Sequence, residues 1–317
     1  MRMRILKEKA MDNFLPIEGG GYTAVIHPSR GANCISLRHE SGASLLREPP
    51  RDGILDNPYL YGMPILFPVN RIAGGEFSFE GRIYRFPINE PNTGCHLHGF
   101  LHETPFNVIE KEQSRVLLRY EASEDAPYLS FPHAFSVTME YALDESGFSH
   151  TVAVTNHSDT RMPLFLGFHT TFNTCFLKNS RPENIRAFTD ITEEYERNLE
   201  KDYLPTGKKP PFDAVSLALS KGRYRPFEAP TSRHYRGNGL MMLSDTENRI
   251  RMVYENDAAY KFRLIFNGGE AGYICLEPQT CLANCQNSPF TREEGGFDFI
   301  EAGATKTFRS KIYLEEF

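Results

Sequence analysis

Apolar and polar residues alternate most regularly between positions 135 and 154. Phe135, Val137, Met139, Tyr141 and Leu143 are interleaved with Ser136, Thr138, Glu140 and Ala142. After the turn signal Asp144-Glu145-Ser146-Gly147, the alternation resumes through Phe148, His150, Val152 and Val154. Period two on both arms predicts an antiparallel hairpin with one buried face. Shorter runs of the same kind recur along the chain. Residues 22–26 (YTAVI) and 32–37 (ANCISL) flank a proline–glycine turn, and residues 108–120 hold two further strands. Phe77 and Phe79 face Ile83, Tyr84 and Phe86 across Glu80-Gly81, a tight-turn signal in which glycine supplies the positive-φ position. The segment 52–61 reads as a loop leading into this hairpin.

Residues 161–176 form an aromatic-rich run centred on His169. Residues 177–240 have weaker periodicity, and their PTGKKPPFD and TSRHYRGNG stretches read as long surface excursions. Strand patterns return from Leu240 onward and end with a run over 305–314. There is no helix-period segment longer than about a dozen residues, no heptad pattern and no tandem repeat. Many short strands separated by turn signals predict an all-β fold, a large antiparallel sandwich or barrel. With no compositional shift to mark a linker, residues 1–317 read as a single domain.

Composition narrows the function classes. A hydrophobic content of 40% with 24 Phe and 15 Tyr is enough for a sizeable core. A formal net charge of -6 argues against nucleic acid as a partner, since phosphate contacts need a basic face. No apolar run reaches the length of a membrane span. The charged start, MRMRILKEKAMDNF, lacks the apolar centre of a signal peptide, so the expected location is cytoplasmic. The six cysteines contain no CxxC pair and read as free thiols.

Polar groups set beside apolar strands are the candidates for chemistry: Arg71, His96, His98, His169 and Glu277. A carboxylate at the apolar strand end Ile274-Cys275-Leu276-Glu277-Pro278 is costly to bury unless paired. Glu277 therefore belongs either to a pocket rim or to a structural hydrogen bond. His169 lies among Phe165, Phe168 and Phe172 and reads equally as a satisfied core histidine or as a site residue. Arg71 is a hydroxyl-binding group or the partner of a nearby acid. His96 and His98 share a face if both lie in one strand, which invites a metal site completed by His169 and Glu277.

Several short motifs occur together in one order: Asn70-Arg71-Ile72, Gly74-Gly75-Glu76-Phe77, Gly81-x-x-Tyr84, Leu97-His98-Gly99, Gly167-x-His169-x-x-Phe172 and Cys275-Leu276-Glu277-Pro278. From about residue 20 to the C-terminus this arrangement resembles the aldose 1-epimerase (galactose mutarotase) family. The resemblance implies a galactose mutarotase-like β-supersandwich, a sugar substrate, and an isomerase reaction that uses no metal or other cofactor. It implies Glu277 as general base and His169 as general acid, with Arg71 and His98 binding sugar oxygens; His96, two residues before His98, is expected to join them from the same strand face.

Two positions depart from the family pattern. No aspartate stands in Arg233-His234-Tyr235-Arg236-Gly237, and Thr171 precedes Phe172 where a tyrosine is expected. Arg233 and Arg236 suggest a phosphorylated or acidic sugar, or else a solvated loop. A carbohydrate-binding protein without activity is the alternative. A glycosidase would need a second carboxylate, which the sequence does not single out.

Overall fold

The computed structural model describes residues 14–50, 56–129, 131–228, 230–268 and 272–317. The charged N-terminal stretch up to residue 13, and residues 51–55, which take in the start of the expected loop at 52–61, lie outside them. The hairpin with the clearest alternation forms as Phe135–Asp144 and Gly147–Asn156, paired from Phe135 opposite Asn156 to Asp144 opposite Gly147. Phe148, His150, Val152 and Val154 are all buried, so the period-two pattern marks the core face. The Glu76–Phe79 and Arg82–Arg85 hairpin also forms. Both Glu80 (φ 48°) and Gly81 (φ 79°) take positive φ, where only the glycine was expected to.

Most strands join one 13-stranded sheet. Its path runs Ile65–Leu66, Gly167–Phe168, Tyr273–Gln279, Phe262–Phe266, Ser232–Asp245, Ile250–Asn256, Thr305–Glu316, Gly147–Asn156, Phe135–Asp144, Arg115–Ala122, Asn107–Lys111. Every pairing along it is antiparallel. Thr171–Asn173 pairs with Tyr273–Gln279, and Ile185–Tyr195 pairs with Ser232–Asp245. A three-stranded sheet, Leu15–Gly19, Tyr22–His27 and Asn33–His39, is joined to the large one by two buried tyrosines. The Tyr141 hydroxyl donates to the Ala32 carbonyl at 2.8 Å, and the Tyr22 hydroxyl accepts from the Leu314 amide at 2.9 Å. The fold is the expected all-β, antiparallel one. Among the described residues the only α-helix is Ala214–Ser220, and no helix is long and apolar enough to cross a membrane. All six cysteines are free.

One expectation fails. The TSRHYRGNG stretch is not a surface excursion but includes the first half of Ser232–Asp245, a 14-residue strand with His234 and Tyr235 fully buried. Its partner Ile185–Tyr195 also went unread. Its inward positions include Ala187 and Thr189, which carry little hydrophobic signal, and its register shifts twice between Thr189 and Glu193. The charges that made the region look solvated are consumed between neighbouring elements. Arg233 bonds Glu194 and Asp213, while Arg236 pairs with Glu193.

Candidate active site

Strand register brings the acid–base candidates together. Gly167 pairs with Gln279, and Thr171 pairs with Cys275. In an antiparallel ladder this places His169 directly across from Glu277. The backbone at His169 leaves the regular ladder, with its amide donating to the Pro64 carbonyl, but the side chains still meet. His169 Nε2 lies 3.2 Å from Glu277 Oε1. Glu277 is fully buried and His169 is 8% exposed.

Both line a cavity of about 280 Å³. Asn70, Arg71 and His98 line it too, with Tyr59, Tyr203, Leu264 and Phe266 supplying its apolar surface. Two larger depressions lie beside the N-terminal sheet and the 143–146 turn, open to solvent and distant from this pair.

His98 reaches the cavity because the chain turns sharply there. Its strand, Cys95–Leu97, ends one residue earlier, and His98 takes a φ of 62°. Its amide donates to the Asn70 carbonyl, and its Nδ1 accepts from the Asn70 amide at 3.2 Å. An Nδ1 that accepts leaves the proton on Nε2, so neutral His98 is a donor by that nitrogen. The Asn70 side-chain amide donates to Gln279 Oε1 at 3.2 Å, and Gln279 Nε2 donates to Glu277 Oε2 at 3.1 Å. One buried network thus orients His98 and Glu277. Gln279 stands two residues after Glu277 on the same strand face, a spacing legible in the sequence but not used.

His96 does not join them. It is absent from the cavity wall; its Nδ1 lies 2.7 Å from the Pro87 carbonyl and its ring packs on Phe86 and Phe100. The left-handed residue after Leu97 is why the two histidines do not share a face. A four-residue metal site that includes His96 therefore does not form. His169, Cys275 and Glu277 do place one donor atom each within 4.8 Å of one another, the one such cluster among the described residues.

Arg71 lines the cavity, but its fork is held. Nε and Nη2 donate to the two Glu90 carboxylate oxygens at 2.6 Å each, and the Tyr203 ring lies 4.5 Å below the guanidinium. Arg233 and Arg236 are not in the wall and are paired to acids, which removes them as anion-binding groups. Sequence reasoning missed Arg197, which lines the cavity at 8% exposure. No local pattern marks it, because it follows the charged run Glu193-Glu194-Tyr195-Glu196.

Burial dominates the electrostatics. It pushes the Glu277 carboxyl up to about 8, against the pull of the Gln279 hydrogen bond and of Arg197 and Arg71. It pushes His169 down to about 3 and His98 well below the usual imidazole range, the latter helped by His169 and Arg71. The resemblance implies an ionised carboxylate beside an imidazolium; burial by itself favours a carboxyl beside a neutral imidazole. In either form the pair holds one proton.

Comparison with known proteins identifies the family and the fold. The aldose 1-epimerase family model matches residues 15–312. A solved galactose mutarotase-like protein from Clostridium acetobutylicum is 27% identical and superposes with a TM-score of 0.89, over 96% of this chain and 95% of that one. A GalM/aldose epimerase homologue from C. elegans, 17% identical, shares the fold with a TM-score of 0.75 over 96% and 98% of the two chains. Among curated proteins, the uncharacterized protein YihR of Escherichia coli (strain K12) is 25% identical over 169 residues. That match spans 53% of this chain and about half, 52%, of YihR. The chain belongs to the aldose 1-epimerase family.

Proposed function

We propose that this protein is a mutarotase, a metal-independent isomerase that interconverts the α and β anomers of an aldose. The observation that carries this reading is the His169–Glu277 pair, 3.2 Å apart in the wall of a cavity sized for one monosaccharide. Opening a hemiacetal takes a proton from the anomeric hydroxyl and gives one to the ring oxygen. Those two oxygens are bound to the same carbon, so acceptor and donor have to be neighbours. A pair that shares one proton is both at once.

At rest the proton sits on Glu277. Sugar hydroxyls that donate to the carboxylate favour its ionised form and move the proton to His169. Glu277 then takes the anomeric proton as His169 protonates the ring oxygen. The C1–O5 bond breaks, the carbonyl forms, and rotation about C1–C2 presents its other face. Ring closure runs the same transfers backward and restores the pair. Positioned acid and base groups supply factors of about 10²–10⁴ each. His98 Nε2 donates to a sugar oxygen, and Arg71 is held in place by Glu90.

Polarimetry of freshly dissolved α-glucose, α-galactose and other aldoses tests the reading against that of a sugar-binding protein without activity. The wild type is expected to accelerate mutarotation of at least one aldose and Glu277→Gln to abolish the acceleration. Equal rates for the two proteins would exclude base catalysis by this residue.

A further inference from the structure

Arg197 is the cavity arginine that has no close ion pair. Its Nη2 donates to the Ser232 carbonyl and hydroxyl oxygens, both at 2.8 Å. Its Nε is buried without a hydrogen-bond partner, and among the described residues no carboxylate lies within ion-pair distance of it. The other cavity arginine, Arg71, is neutralised by Glu90. Arg263 is also buried, but it neighbours Leu264 in the strand and so points to the opposite face; its Nη1 is bonded to the Tyr260 and Phe262 carbonyls. The carboxyl that acts on it through space, Glu277, is favoured in its neutral form by burial, so the guanidinium is left without a full counter-charge.

Strand register fixes where Arg197 is anchored relative to Glu277. Glu277 pairs with Leu264 on the next strand, and Ser232, which holds Arg197, pairs with Phe266 on that same strand. Ser232 and Glu277 are therefore two strand spacings apart and two residues offset along the strands, about 12 Å between backbones. Arg197 and the acid–base pair line the same cavity, Arg197 being held on the Ser232 strand and Glu277 two strands away.

Building on the mutarotase reading, we propose that the substrate is an anionic aldose, whose carboxylate or phosphate, remote from the anomeric carbon, is held by the Arg197 guanidinium. Arg197 is then the specificity-determining residue of the site. Guanidinium forks match both anions, and the buried Nε–H is the donor left without a partner.

The test compares glucose, glucuronate and glucose 6-phosphate as substrates, with kcat/KM read by NMR exchange between anomers, for wild type and Arg197→Gln. One of the two anionic sugars is expected to exceed glucose by about tenfold or more in the wild type, the scale of one charge-assisted contact. In Arg197→Gln that ratio is expected to collapse toward one. Which anion wins separates carboxylate from phosphate. A wild type that prefers glucose, or an anion preference that survives Arg197→Gln, overturns the proposal. Calorimetric binding of the same three sugars to the wild type separates the two readings. Tighter binding of an anionic sugar with no acceleration of any aldose removes the mutarotase reading and keeps the anion site. Acceleration of neutral aldoses with no tighter binding of either anion keeps the mutarotase and removes the anion site.

Discussion

Replacing Glu277 with glutamine should stabilise the protein while it abolishes the proposed activity. Burial raises this carboxyl from 4.5 to about 8, so the folded state favours the protonated form. A group whose folded pKa is raised contributes its full stability below the unfolded value and loses it as pH climbs toward the folded value. For Glu277 that window runs from 4.5 to about 8. At pH 7 folding must protonate a carboxyl that is ionised in the unfolded chain. Two and a half pH units at about 1.4 kcal/mol each put that cost near 3 kcal/mol, in order of magnitude.

Glutamine is a permanently neutral replacement of the same shape. Its carbonyl can accept from Gln279 Nε2 as Oε2 does now, at 3.1 Å, and its amide can donate toward neutral His169 Nε2 in place of the 3.2 Å carboxyl contact. Urea unfolding of both proteins at several pH values measures the difference. Glu277→Gln should match the wild type near pH 4, exceed it by about 3 kcal/mol at pH 7, and gain further up to pH 8. A variant less stable than wild type at pH 7, or a difference that does not change with pH, would refute the reasoning that burial holds Glu277 protonated.

The shared proton also sets the pH profile: kcat/KM should fall about tenfold per pH unit above about 8, where Glu277 gives it up, and should show no limb near 6.5, because burial holds His169 down to about 3. Stopped polarimetry across pH 5–10 checks this, and a limb at the ordinary histidine value would contradict it. Gly99→Ala should cost about 3 kcal/mol or more, because a Cβ there would lie 1.8 Å from the Phe67 carbonyl oxygen at a φ of +63°. Gly94→Ala, at a φ of +66° with nothing within 4 Å, should cost only about 1 kcal/mol in the same urea titration; equal costs would show that the close approach is not what matters. Dialysis against a chelator should leave the mutarotation rate unchanged; a stoichiometric transition metal in the purified protein, removed together with activity, would assign the His169–Cys275–Glu277 cluster to a metal instead.

Local alternation determined much of this protein. The Phe135–Asp144 and Gly147–Asn156 hairpin was readable because its inward residues are large and apolar and its outward ones are polar. The motifs around Arg71, His98, His169 and Glu277 were readable as chemistry for a related reason: a titratable group inside an apolar run needs a partner or a function. Ile185–Tyr195 was not readable, since Ala187 and Thr189 interrupt its buried apolar positions and its register shifts twice. Nor was the fate of each charge. Arg233 and Arg236 looked solvated, yet strand pairing delivers them to Glu194 and Glu193, whereas Arg197 is brought to the cavity without a close ion pair. His96 and His98 were expected to work together, and one left-handed residue separated them. A strand reports its own burial through its own side chains. Which charges meet across a cavity depends on register between strands far apart in the chain, and only the assembled sheet decides that.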